Sequence, residues 1–454
     1  MSNTRPMRSV MSRLPALRAK ATGNAGVLFG STLTTAVLRF ASNIVIARLL
    51  TPADFGVMIV VTSIATTLMF LSEMGIGPFT VRTQNGATPR ALDTQWTVAV
   101  IRGALIALVM VASAPLAATA FDDPRLTDAI RVSAIAFFAF ECRSMSLLVA
   151  QREQNERKNA LVRLGVFVAQ LPFLLGFAWW LRDYWAFVYA LIVMNVFTTA
   201  ATFLFYPQRH RFLLDREVLI ELWRFSRVIA ATSAVGIVII QFDRYFIAAV
   251  ADEVVLGLFA VALTFGRTIE DMIGRYARSV YMPIVAASLR QGPGRVRTYY
   301  GPLRVTRPAL VALCCAGITA GPAFIEVVFP PAYVGAGAFL SLLSLRAALE
   351  AIARPNDAYL IADGGQSRVF AGEVARLVWT VAAATLAYFA FGLYAFVLAV
   401  CLRELPSIAI QTHGLIRRGV FSLRNEASVP LAALAGLACG QAASLAAHGL
   451  GLTS

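Results

Sequence analysis

Arginine inside long apolar runs is the first chemistry this sequence offers. Within residues 24–50, Thr32, Thr35, Arg39 and Asn43 recur at three- and four-residue steps, which puts hydroxyl, guanidinium and amide groups on one helix face. No acid lies within two turns of Arg39 on either side. A guanidinium stranded among apolar side chains calls for an anion, and its planar fork of donors suits a phosphate. Arg267 lies on a stripe with Thr264 and Asp271, with Glu270 beside it. Arg346 opens the stripe Arg346, Glu350, Arg354 and Asp357, which Pro355 interrupts. Arg39, Asn43, Arg267 and Arg346 are therefore the candidate substrate-binding groups, and Glu141, Asp271 and Glu350 the candidate carriers of a coupling proton or sodium ion. The competing account is structural: Arg346 pairs with Glu350, Arg267 pairs with Asp271, and Arg48, Arg82, Arg102 and Arg376 snorkel from helix ends.

The elements that must position these groups are membrane helices. Hydrophobic residues make up 58% of the 454, charged residues 14%, and mean hydropathy is +0.69; so much apolar surface exceeds what a soluble core can hide. The net charge of +15 is dealt out in small groups between apolar runs, the pattern of topology signals. Nucleic acid is not an expected partner. Cys142, Cys314, Cys315, Cys401 and Cys439 lie in apolar runs without CxxC spacing, as buried small hydrophobes would, so neither a metal site nor a disulfide frame is expected. The basic stretch 1–23 reads as a retained cytoplasmic N-terminus, because the apolar run after it is too long for a signal-peptide core.

Apolar runs bounded by charge, Pro or Gly predict thirteen spans, at 24–50, 55–76, 94–120, 126–150, 160–181, 185–206, 228–250, 254–280, 308–329, 338–361, 370–391, 393–416 and 428–450. With the N-terminus inside, alternate connections are Arg-rich, as around Arg152, Arg157 and Lys158, or Arg209, Arg211 and Arg216. Phe40 to Met58 and Gln241 to Phe259 echo each other, with Gly56 on Gly257 and Ile46 on Ile247. The expected fold is therefore an all-α polytopic membrane protein with two six-helix lobes, 24–206 and 228–416, joined by a cytoplasmic linker, 207–227. The lobes are parallel pseudo-twofold repeats around a central cavity, and an extra C-terminal helix, 428–450, follows them.

The run Ala47-Arg48-Leu49-Leu50-Thr51-Pro52-Ala53-Asp54-Phe55-Gly56 resembles the first hairpin of the oligosaccharide-repeat-unit flippases of the multidrug/oligosaccharidyl-lipid/polysaccharide exporter superfamily. Glu73 to Pro78, Val81-Arg82, Asp243-Arg244, Leu256 to Phe259, Met282-Pro283, and Val327 to Phe329 ahead of Tyr333 extend the resemblance over roughly Gly26 to Arg418. It implies alternating access and movement of an undecaprenyl-diphosphate-linked glycan from the cytoplasmic to the periplasmic leaflet of a bacterial inner membrane. Arg39 and Arg267 would hold the diphosphate or sugar charge. Membrane lipid, a polysaccharide polymerase and a chain-length regulator are the implied partners. Members have twelve or fourteen spans, and thirteen fits neither.

A lipid II flippase has the same charge logic, and a cation-coupled multidrug exporter of the same superfamily is a further alternative, for which Glu141 is the supporting acid. An enzyme is not expected. Outer connections are short, and no P-loop, HExxH or GxSxG in strand-turn-helix context occurs. Nor is a cofactor, so energy would come from an ion gradient, the membrane potential or consumption of product.

Overall fold

A computed structural model describes residues 30–153, 156–206, 208–291, 294–451 and 453. The basic stretch 1–23 and the start of the first expected span lie outside the described residues. The helices are α1 (30–47), α2 (Pro52–Leu71), α3 (Ile76–Arg82), α4 (Pro89–Ala120), α5 (Arg125–Glu141), α6 (Ser146–Arg152), α7 (Glu156–Leu181), α8 (Trp185–Leu204), α9 (Arg216–Val250), α10 (Glu253–Tyr276), α11 (Met282–Gln291), α12 (Arg295–Tyr300), α13 (Leu303–Val328), α14 (Ala336–Ala362), α15 (Gln366–Val378), α16 (Ala384–Phe391), α17 (Leu393–Cys401), α18 (Glu404–Arg417), α19 (Leu423–Glu426) and α20 (Ser428–Gly449). Among the described residues there is no strand. Five-residue π-helical turns, Ala277–Tyr281 and Trp379–Ala383, join α10 to α11 and α15 to α16 without a break.

This is a multi-pass membrane protein. Among the described residues ten helices are long and apolar enough to cross a bilayer, or eleven if α5 and α6, bent by 50° at their junction, form one span. Two of the thirteen expected spans fall short of that measure for identifiable reasons. Only 30–47 of the first is described, and α10 carries Arg267, Glu270 and Asp271 within its apolar run.

Local chemistry sets the helix starts. Thr51 precedes α2, Pro52 occupies its first position, and the Asp54 carboxylate accepts from both the Thr51 N–H (2.8 Å) and its hydroxyl (2.7 Å). Thr88 and Pro89 repeat the device at α4, where Thr88 Oγ1 accepts from the Ala91 N–H. Asp252 caps α10 by accepting from the Val255 N–H at 2.7 Å.

The chain forms two compact units. The first comprises 30–49 and Ile64–Ser233, the second Leu50–Ser63 and 234–454. The boundary thus falls inside α9, past the expected linker 207–227, while the outer half of the first hairpin belongs to the second unit. There the echoing hairpins meet through their small residues: a Cβ on Gly56 would strike the Glu253 carbonyl, and one on Gly257 the Pro52 carbonyl. Because Gly56 aligns with Gly257 and Pro52 with Glu253, the two contacts are equivalent across a local twofold axis. Tyr333 closes this corner, donating to the Leu50 carbonyl at 2.7 Å and meeting Phe55 edge-on.

In the same unit α20 packs along α13 through Gly436 and Gly440. Their Cα atoms lie so close to the Ala312 and Ala316 carbonyls that no Cβ fits. This is the Gly-x-x-x-Gly geometry of helices pairing in lipid, and it makes the extra C-terminal span an integral part of the second unit. Cys314 and Cys315 are buried in the neighbouring core with Ile273, Val311 and Ala347. Cys401 is buried too, but Cys439 is exposed and Cys142 half-buried, so the expectation of five buried thiols fails for those two.

In the first unit the expected linker is strapped down. The N–H groups of Arg211, Leu213 and Asp215 donate to Asp93, Thr97 and Thr94 side chains of α4. His210 Nε2 lies 3.1 Å from the Met145 N–H and 2.8 Å from Ser144 Oγ, and its Nδ1 is 3.5 Å from Asp93 Oδ1. Accepting from Met145 requires neutral imidazole, and burial lowers the pKa of His210 against the opposing pull of Asp93. A histidine whose pKa falls on docking is favoured neutral, so docking weakens as pH drops below the free-imidazole range of about 6.5. Limited proteolysis at 208–215 is expected to accelerate between pH 7 and pH 5.5, and a His210→Gln variant to lose that pH dependence.

Crowding at the local axis predicts a second outcome. Gly257→Ala should lower stability by about 1–3 kcal/mol in detergent unfolding, the typical cost of overpacking. Gly176→Ala, where a Cβ meets nothing within 4 Å, should be close to neutral.

Candidate functional site

The second unit buries an ionic network around α14, the most enclosed of its spans. Arg346 is 2% exposed. Its Nε lies 2.6 Å from Glu270 Oε1 of α10, and its Nη1 3.6 Å from Asp243 Oδ2 of α9. One turn on, Glu350 takes two bonds from Arg354, at 3.1 and 3.3 Å, and Arg354 also reaches Asp357 at 4.0 Å. Asp357 accepts from Gln411 of α18 at 2.6 Å, while Asn356 accepts from Tyr299 of α12 at 2.5 Å. Pro355 lies inside this polar turn and supplies no N–H to the helix's own hydrogen-bond ladder.

Further along, Arg376 of α15 bridges Glu373 (2.7 Å) and fully buried Glu404 (2.9 Å). Arg403, at the break between α17 and α18, donates to the Ile239 carbonyl of α9 at 2.8 Å and lies 3.7 Å from Glu404. Buried Arg244 donates to Gln241. Arg346, Arg376 and Arg403 thereby link different helices, while Arg354 and Arg244 bond within their own.

The predicted site residues separate into two classes. Arg346 is neutralised by Glu270 and Asp243, which corrects both its expected availability as a free cation and its expected pairing with Glu350. Glu350 is held by Arg354. In the first unit, Glu141 is 2% exposed and pairs with Arg102 at 2.5 Å, so Arg102 does not snorkel; Arg376 is likewise buried and paired. Arg267 and Asp271 are exposed on α10, and the expected ion pair between them is not formed, although Asp243, Glu270, Asp271 and Arg346 all lie within electrostatic reach of Arg267. Arg39 is exposed on α1, makes no ion pair among the described residues, and sits 5.9 Å from the Phe167 ring centroid. Asn43, one turn on, is half-buried.

Sequence reasoning passed over Asp243 and Gln411 as network members. Asp243 sits in an apolar run of α9, and that position was the available signal.

A family described as polysaccharide biosynthesis protein matches residues 45–334. The chain belongs to that family. Among solved structures, one described as lipid II flippase MurJ in an inward closed conformation aligns over 93% of this chain and 98% of its own, at 10% identity and TM-score 0.71. An inward-facing multidrug-resistance MATE transporter of the MOP superfamily covers 87% and 98% at 13% identity and TM-score 0.62. A MOP superfamily transporter from Pyrococcus furiosus, whose binding pocket is described as of reverse polarity, covers 87% and 94% at 13% identity and TM-score 0.50. No curated protein matches the sequence significantly. This member of the polysaccharide biosynthesis family thus has the fold of MOP-superfamily transporters.

Removing one partner of a buried pair leaves an uncompensated charge. Arg346→Met is expected to cost about 3–5 kcal/mol of stability. Adding Glu270→Gln and Asp243→Asn should restore a large part of it, as read by unfolding in detergent.

Proposed function

We propose that this protein is a flippase for an anionic lipid-linked oligosaccharide, with undecaprenyl diphosphate as the carrier and the repeat unit of an O-antigen, capsule or exopolysaccharide as cargo, moved from the cytoplasmic to the periplasmic leaflet of the bacterial inner membrane. The observation that carries this reading is Arg39. It lies about 12 Å from the end of its helix at 1.5 Å per residue, near the middle of a hydrocarbon layer about 30 Å thick, and is exposed without a carboxylate partner among the described residues. A cation kept at that depth is costly unless an anion visits it. Arg267 is the corresponding exposed cation of the second unit, and Asn43 supplies an amide beside Arg39. Family membership supports a role in polysaccharide assembly.

The alternatives weigh differently. A cationic drug favours carboxylates in the N-terminal lobe, and Glu141 there is committed to Arg102. Lipid II carries the same diphosphate as other lipid-linked glycans, so charge does not separate it from them; depletion does, since loss of a lipid II flippase halts cell-wall growth. Of the three carboxylates considered for ion coupling, Asp271 is the one both exposed and outside the ion pairs, and we assign the coupling role to it.

Arg39→Ala and Arg267→Ala should each reduce export by about tenfold or more, the scale of one lost charge-assisted contact of about 1.5–3 kcal/mol. Arg39→Lys should recover part of that, since a point charge lacks the two-pronged fork. The measurement is leaflet transfer of undecaprenyl-diphosphate-linked sugar in proteoliposomes at matched protein; wild-type transfer by Arg39→Ala would overturn the reading. Asp271→Asn should leave transfer indifferent to an imposed proton or sodium gradient.

A further inference from the structure

A further feature of the first unit lies between α7 and α8 and does not include Arg39 in its lining. Antiparallel α7 and α8 part on their outer side to leave a groove of about 790 Å³, within the range of small-ligand sites. Small residues open it: Gly165 and Ala169 on one wall face Ala200 and Ala201 on the other, and a Cβ on Gly165 would meet nothing within 4 Å. The remaining walls are apolar. At one end, where α7 begins and α8 finishes, the lining ends in two cations, Arg157 and Lys158. Lys158 is held in place with its ammonium 4.5 Å from the centroid of the Tyr206 ring, while Tyr206 in turn donates to Asn159. Arg157 is exposed.

The dimensions select the occupant. From residue 157 to residue 169 a helix rises about 18 Å, close to the roughly 15 Å depth of half a hydrocarbon core about 30 Å thick. A slot of that length with positive charge only at its polar end matches one acyl chain and one phosphate of a single-leaflet lipid. We propose that this groove is a binding site for an anionic phospholipid, with the acyl chain along Gly165 and Ala200 and the headgroup phosphate on Arg157 and Lys158. Juxtamembrane cations attract anionic headgroups, and the small residues admit the chain. The site is independent of the transport reading, since it uses neither Arg39 nor Arg267.

Native mass spectrometry of the purified full chain tests it. Wild-type protein should retain one phosphatidylglycerol at least fivefold better than phosphatidylcholine of the same chains. Arg157→Gln with Lys158→Gln should abolish the preference, and Gly165→Phe should reduce retention of both lipids, at unchanged melting temperature. Inorganic phosphate should not compete; competition equal to that of the lipid would reveal a bare anion site and overturn the proposal. Equal retention of the two phospholipids by wild type would also overturn it. As a check that needs no variant, phosphatidylglycerol with a photoreactive acyl chain should label 157–169 and 197–205 ahead of the other spans, and even labelling of all spans would sink the assignment.

Discussion

Charge inside an apolar solvent governs this structure. Several kcal/mol per ion are lost when an arginine or carboxylate leaves water, and the loss is recovered only through close, well-hydrogen-bonded partners. In the second unit three buried guanidiniums of the α14 network meet that condition by reaching to another element: Arg346 to α9 and α10, Arg376 to α18, and Arg403 to the backbone of α9. These pairs therefore act as position markers. Two spans that slid by one turn, about 5.4 Å, would leave both members of a pair unpartnered, so the ionic contacts fix helix register where apolar packing against lipid-like neighbours is indifferent to it.

Close approach of backbones is the complementary device. Apolar side chains gain little by leaving lipid for a protein interior, so membrane helices associate through van der Waals fit and polar contacts. Gly436 and Gly440 bring α20 onto the carbonyls of α13, and Gly56 and Gly257 do the same for the two echoing hairpins. The duplication visible as a sequence echo is here a physical contact, since aligned residues make the same contact in both directions.

Against this background an uncompensated cation stands out by what it lacks. Arg39 is exposed and makes no ion pair among the described residues, whereas Arg267, also exposed, keeps Asp243, Glu270 and Asp271 within electrostatic reach. The difference between arginines that hold the protein together and those that the proposed transport role would offer to a substrate is a difference of partners, not of residue type. Glu141 and Glu350 belong with the first group and Asp271 with the second.

Much was legible in the amino-acid sequence. The period and length of the apolar runs decided the spans, because a helix is the structure that satisfies its own backbone in lipid. The echo of Gly56 in Gly257 was visible as a pattern, though not as a touching pair. Partner choice was not legible. Nothing in the spacing of α14 says that Arg346 takes Glu270 and Asp243 while Glu350 takes Arg354, since a stripe at four-residue steps offers several pairings of similar local energy. Asp243 and Glu270 lie about a hundred and about seventy-five residues before Arg346 in the chain, and only the packing of α9 and α10 against α14 brings their carboxylates within reach. That tertiary choice, made by geometry across helices, is what separated structural charge from available charge.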